Sequence, residues 1–166
     1  MDAIEAIKTR RSIRRYTSQG IDRSIIKQII EAGTYAPSGL NNQPWRFVIV
    51  EDKNSIDTVS SNTKYAHIIK EAPAIIAVYL DKAKSYNYVK DVQAIGACIQ
   101  NMLLASHSYG LGSCWLGEIL NKADGVNKIL NVPEEYELMA VITIGHPAEN
   151  GESERMAIDD VINHWI

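Results

Sequence analysis

The sequence predicts an α+β fold in one domain spanning residues 1–166. Three observations lead there. Helical and extended patterns alternate without a regular strand–helix–strand rhythm, which disfavours a doubly wound parallel sheet. Short runs rich in β-branched residues at 45–50, 74–80 and 138–144 read as strands around one long apolar helix. The 166 residues are close to the roughly 150 of a single domain, and no Pro- or Gly-rich linker divides them.

The elements follow in order. Asp2 with Glu5 reads as a capping box, with Ile4 and Ile7 on one face of a short first helix that ends near a run of arginines. Ile21, Ile25, Ile26, Ile29 and Ile30 recur at helical spacing, and Gly33 is expected to cap that helix. A polar, amide-rich loop from Ala36 to Pro44 leads into the strand Trp45–Val50. Pro73 opens a second strand, Ala74–Leu80. Val92–His107 has almost no polar face, so the helix is covered on all sides by its own core or by a second chain. Gly96 would permit that second helix to come close. Gly110–Gly117 reads as a strand with glycines at both ends. Asn121 is expected to cap a short helix ending at Leu130, and Leu138–Ile144 is a further strand. The tail runs acidic and irregular, then ends on Ile158, Val161, Ile162, Trp165 and Ile166, an apolar end expected to dock on a partner.

Composition narrows the function classes. The chain is 46% hydrophobic and 22% charged with net charge -3, which argues against a nucleic-acid or anionic-membrane footprint. The N-terminus lacks the basic and apolar regions of a signal peptide, and no apolar run approaches the ~18 residues of a membrane span. Two cysteines, Cys98 and Cys114, without CxxC spacing point to a reducing compartment, and the expected location is the cytoplasm. His67, His107, His146 and His164 lie far apart, so no metal site is expected. Gly110, Gly112 and Gly117 give G-x-G-x4-G, which misses the dinucleotide fingerprint. Cys114, mid-strand among apolar neighbours, reads as an inert buried thiol.

Arg10, Arg11, Arg14 and Arg15 stand apart from this. Four guanidiniums in six positions, interleaved with Ser12, repel one another unless carboxylates or an anion lie among them. A solvated basic helix end paired with Asp or Glu and an anion site both fit the spacing.

Four motifs in order, Arg10-Arg-Ser-Ile-Arg-Arg-Tyr16, Ala36-Pro-Ser-Gly-Leu-Asn-Asn-Gln-Pro-Trp45, Gly110-Leu-Gly-Ser-Cys-Trp-Leu-Gly117 and Ile144-Gly-His-Pro147, make the chain resemble the FMN-dependent nitroreductase family. The likeness runs from about residue 3 to Trp165. It implies a three-layer fold, a mixed and mostly antiparallel sheet flanked by helices, in an intertwined homodimer whose tail, about 153–166, packs on the partner subunit. It also implies that FMN is bound by Arg10, Ser12 and Arg155, with Arg11 adjacent and Arg14 at the pyrimidine edge of the ring. Pro37, Ser38, Gly39 and Asn41 match the loop that reaches the other subunit's flavin, and Trp115, Leu116 and Gly117 match the segment facing N5. Ser153 stands where many relatives carry a second basic residue. The segment before Val92 is short, and Tyr86 and Tyr88 are candidates to line the substrate pocket.

The implied activity is an oxidoreductase passing hydride from NADH or NADPH through flavin N5 to an electron-poor small molecule such as a nitroaromatic or quinone, with ping-pong kinetics. No catalytic side chain is implied, because the cofactor carries the chemistry. The same family includes reductive dehalogenation, dehydrogenation and flavin fragmentation. A non-catalytic flavin- or anion-binding protein is the alternative outside enzymes.

Overall fold

The computed structural model describes residues 1–166. Four strands, β1 (Trp45–Val50), β2 (Ala74–Asp81), β3 (Gly112–Leu116) and β4 (Tyr136–Gly145), form one sheet in the order β1-β2-β4-β3. Every neighbouring pair is antiparallel, with Trp45 opposite Leu80 and Gly112 opposite Gly145. The β-branched run in β2 is explained by its position: all eight residues are buried, because helices cover both faces of the sheet.

Alternation along β2 builds two cores. Ile76, Val78 and Leu80 point toward α2 (Arg23–Thr34) and α5 (Tyr88–Ser108), where they meet Ile26, Ile29, Ile95, Ile99 and Met102. Ile75, Ala77 and Tyr79 point the other way, into a cluster with residues of α3 (Lys53–Ser60), α4 (Ala66–Glu71) and α6 (Ala123–Leu130) such as Ile56, Ile69 and Val126. The result is the α+β class that the sequence pattern predicts, in the three layers that the resemblance implies, with α1 (Ala3–Thr9) beside α5.

Two local expectations are corrected. Gly33 lies inside α2 and Tyr35 caps it. A Cβ on Gly33 would sit 2.6 Å from Met102 Cγ and 3.0 Å from Cys98 Sγ, so glycine is there to let α2 and α5 approach. Asn121 belongs to a 3₁₀ turn at Glu118–Lys122, and α6 starts one residue beyond it. The sequence pattern does not signal the polar helices α3 and α4, since each buries only two apolar side chains, Ile56 and Val59 or Ile68 and Ile69.

Some apolar surface stays uncovered on a single chain. Ile4 and Ile7 of α1 and Val89 of α5 are exposed, as are Met156, Ile158, Val161, Trp165 and Ile166 in the tail, which forms only one helical turn, α7 (Ile158–Val161). The accessible surface of 9680 Å² exceeds the roughly 8,200 Å² of a compact chain of this mass, and the extended tail accounts for the direction of that excess. No helix is long and apolar enough to cross a membrane.

Candidate functional site

The first motif is placed by a helix that stops early. Asp2 caps α1 by accepting the Glu5 backbone N–H at 2.8 Å, and the helix gives way at Arg10 to extended backbone. The chain then runs along the outer edge of β3. Ser12 forms a parallel bridge with Ser113, and the Ile13 N–H donates to the Ser113 carbonyl at 3.0 Å. Further on, Tyr16 bridges Pro147, the Thr17 N–H donates to His146 O and the Ala148 N–H to Arg15 O, each at 2.9 Å. Three of the four motifs are thereby laid side by side, although they are far apart in sequence.

The electrostatics of this seam distinguish the two explanations of the arginines. Of Arg10, Arg11, Arg14 and Arg15, only Arg15 reaches a carboxylate, Glu71 at a loose 3.9 Å. Arg11 Nη1 donates to the carbonyls of Lys8 and Arg10, both at 2.8 Å, and Arg155 Nη1 donates to Ser153 Oγ and the Glu154 carbonyl. The Nε of Arg10 is buried and has no partner. Burial, followed by the nearby charges of Arg155 and Arg11, pulls the Arg10 guanidinium below its ordinary pKa. Like charges gathered around an unpaired donor are stabilised by an anion. The carboxylate-paired alternative does not describe this helix end.

Beside Arg10 and Arg11 lies a cavity of about 380 Å³, bordered also by Thr9, His107, Glu149 and Gly151. His107 Nε2 and Thr9 Oγ1 are 2.8 Å apart, and the Thr9 hydroxyl donates to the Glu5 carbonyl, so Nε2 of His107 carries the shared hydrogen. Burial and then Arg10 and Arg11 hold the His107 pKa below the usual histidine range, which keeps the ring neutral. Glu149 Oε1 accepts the Arg14 backbone N–H at 2.7 Å. Gly151 is pressed so closely on Arg11 that a Cβ there would overlap the Arg11 side chain. His107, Glu149 and Gly151 have no role in the sequence pattern; the Asn-Gly pair at 150–151 is a turn signal that marks the segment returning past Arg11.

The third motif supplies the strand end of the seam. Trp115 is 42% exposed while Leu116 is buried, and Gly117 begins the turn after β3. Cys114 is buried behind this edge. Burial raises its thiol pKa, which the nearby charges of Arg14 and Arg10 only partly offset, so it stays a protonated, inert group.

The second motif lies elsewhere. Pro37–Gln43 turns tightly, with Leu40, Asn41 and Gln43 at φ values of 54°, 53° and 48°. Left-handed backbone at a non-glycine residue costs on the order of 1 kcal/mol or more, so three in four residues persist only where neighbours enforce them. The Asn41 N–H donates to Ser38 O at 3.0 Å, the Gln43 N–H to Ser38 Oγ at 3.1 Å and Asn42 Nδ2 to Lys84 O at 3.0 Å. Tyr86 covers Gly39 so closely that any Cβ would overlap its hydroxyl, and Lys90 Nζ lies 5.5 Å from the Tyr86 ring centre. Pro37, Ser38, Gly39, Tyr86 and Lys90 border a shallow depression of about 280 Å³. Tyr88 does not border it; its hydroxyl donates to Glu137 at 2.9 Å.

This loop packs at the start of α5, near Asp91, while the arginines lie near its end, beside His107. Sixteen helical residues separate those two points, a distance of about 24 Å at 1.5 Å per residue. The structure therefore brings together Arg10, Arg11, Ser12, Arg14 and Arg155 with the β3 edge, and separately Pro37, Ser38, Gly39 and Asn41 with Tyr86.

Comparison with known proteins bears on the family and the fold. The model of the Nitroreductase family matches residues 7–60 and 53–146. A proposed NADH dehydrogenase/NAD(P)H nitroreductase of Methanothermobacter thermautotrophicus is 35% identical over 90% of this chain and 80% of its own. The crystal structure of a proposed nitroreductase from Desulfovibrio desulfuricans in complex with FMN is 43% identical and superposes with a TM-score of 0.95, covering 100% of this chain and 98% of that one. The NADPH:FMN oxidoreductase of Vibrio harveyi, solved with NAD+, is 25% identical with a TM-score of 0.87 over 98% of this chain and 77% of its own. Fold, motif order and these matches together make the chain a member of the nitroreductase family.

Proposed function

We propose that this protein is a homodimeric, FMN-dependent NAD(P)H oxidoreductase that reduces an electron-poor small molecule such as a nitroaromatic or quinone. The observation that carries this is the buried, unpartnered Nε of Arg10, beside Arg11 and Arg155, with no carboxylate paired to any of the three. A phosphate monoester satisfies such a group, since its oxygens accept the paired donors of guanidinium.

In this proposal Arg10, Ser12 and Arg155 hold the phosphate and ribityl chain, with Arg11 adjacent. Arg14 supplies a fixed cation at the pyrimidine edge, where it favours the charge that accompanies two-electron reduction. Trp115, Leu116 and Gly117 offer the edge of β3 to the reactive side of the ring. Pro37, Ser38, Gly39 and Asn41, about 24 Å away along α5, enclose the ring bound by a second copy of the chain. This spacing, with the exposed apolar residues of α1, α5 and the tail, supports a dimer in which residues 153–166 pack on the partner. Tyr86, beside the loop, borders the acceptor; Tyr88, held by Glu137, is the weaker candidate.

When bound, FMN supplies hydride transfer between a nicotinamide and the acceptor. The protein's own part is to position and exclude water. The two free, buried cysteines support a reducing, cytoplasmic setting. The purified protein is expected to be yellow and to bleach on anaerobic addition of NADH or NADPH. A colourless protein that takes up no FMN overturns the proposal.

A further inference from the structure

Asp91 is completely buried in the first turn of α5, and no lysine or arginine reaches it. A buried carboxylate without a counter-ion is costly unless donors fill its oxygens. Here they do. Oδ2 accepts from Ser85 Oγ at 2.7 Å, the Tyr86 N–H at 3.0 Å and the Asn87 N–H at 3.1 Å, while Oδ1 accepts from Asn42 Nδ2 at 2.7 Å. The helix does not need this carboxylate as a cap, because Asn87 Oδ1 already accepts the Lys90 N–H. What Asp91 adds is a link to a residue 49 positions earlier.

That link falls in the middle of the left-handed turn. Asn42 follows Leu40 and Asn41 and precedes Gln43, the three residues with positive φ, and its side chain is the part of the turn bonded both to Lys84 and to Asp91. The same carboxylate fixes the backbone of Tyr86, whose ring covers Gly39. One buried group thus fastens both the loop and the aromatic residue that lies on it. Burial would raise the Asp91 pKa, but its hydrogen bonds from Ser85, Asn42, Asn87 and Tyr86 outweigh that and keep it ionised.

We propose that Asp91 is the positioning residue of the flavin site, holding Ser38–Gln43 in its bound shape through Asn42 and keeping Tyr86 against Gly39. The flavin part of this rests on the function proposed above; the loop-holding part does not. The test uses the full-length protein and its variants Asp91→Ala, Asp91→Asn, Asn42→Ala and the Asp91→Ala/Asn42→Ala double variant. FMN affinity, the visible circular dichroism of bound FMN and hydrogen exchange at the amides of 41–43 are read in each.

Asp91→Ala is expected to weaken FMN binding about tenfold, as loss of a buried acceptor with several donors implies. It should also change the flavin dichroism and speed exchange at Asn41, Asn42 and Gln43. Asp91→Asn should fall between, because its amide oxygen retains the Ser85, Tyr86 and Asn87 donors. Adding Asn42→Ala to Asp91→Ala should change little further. If Asp91→Ala does not fold, Asn42→Ala alone must give faster exchange and weaker FMN binding. Unchanged exchange in both Asp91→Ala and Asn42→Ala, or fully additive effects of these two on affinity, overturns the proposal. If the wild type binds no FMN, the function proposed above fails, and the exchange data alone decide whether Asp91 holds the loop.

Discussion

The hydroxyls of Tyr16 and Thr143 lie 2.7 Å apart in a buried seam between the arginine segment and β4. The Tyr16 O–H donates to the Ile13 carbonyl, which leaves Thr143 to donate to the phenol oxygen. Gly145 makes room for the ring, since a Cβ there would lie 2.7 Å from Tyr16 Cδ1. Residues 13–16 are therefore locked to the sheet just beyond Arg10–Ser12. Tyr16→Phe should lower stability by about 1–3 kcal/mol, because two buried polar groups lose a partner. Urea unfolding measures this, and a variant as stable as the wild type would show that the seam is held by its backbone bridges alone.

Gly33→Ala tests close packing between α2 and α5. On helix propensity alone the change would stabilise by up to about 1 kcal/mol. The added methyl, however, meets Met102 Cγ at 2.6 Å, and Met102 is fully buried, so overpacking should win with a loss of about 1–3 kcal/mol. Gly20→Ala, with no atom within 4 Å of its Cβ, should stay within about 0.5 kcal/mol of the wild type. Thermal unfolding of the two variants compares them, and a stabilised Gly33→Ala contradicts the assigned helix contact.

Tyr79 and Cys98 contribute to the alkaline limit of the fold, together with Tyr16 and Cys114, whose pKa values burial also raises. Burial pushes Tyr79 and Cys98 each up to about 12, from 10.0 and 9.0 respectively. Both are neutral when protonated, so above those ordinary values the unfolded chain releases protons that the folded chain keeps, and stability falls. The decline should begin near pH 9 and steepen from pH 10 toward 12. The Tyr79 hydroxyl is buried without a partner, so Tyr79→Phe should be neutral or stabilising at pH 7 and should flatten the fall above pH 10. Denaturation midpoints across pH 7–11 check both effects. A variant that loses stability at neutral pH would mean the hydroxyl has a partner.

The strands and the long helix were legible because apolar runs of that length leave little choice of structure, as β2 illustrates with eight buried residues. α3 is not legible in the sequence because Ile56 and Val59 give too little periodicity among polar neighbours, although Asp52, which caps at Ser55, is a usable signal. Gly33 is ambiguous in the sequence because a glycine near a helix end suits both a cap and a close contact, and only Met102 across the interface decides between them. The arginine, loop and β3 motifs were readable as ordered strings of residues. Asp91 and His107 were not, because their meaning lies in partners 49 and 98 positions away, Asn42 and Thr9.

The account depends on Arg10 and its neighbours holding a phosphate, and the affinities of FMN and riboflavin measured side by side test this most directly. The wild type should prefer FMN by about a hundredfold or more, the scale of two charge-assisted hydrogen bonds. Arg10→Ala should erase about tenfold or more of that preference while leaving riboflavin binding nearly unchanged. Equal affinity for the two flavins in the wild type, or an Arg10→Ala variant that weakens both alike, would contradict it.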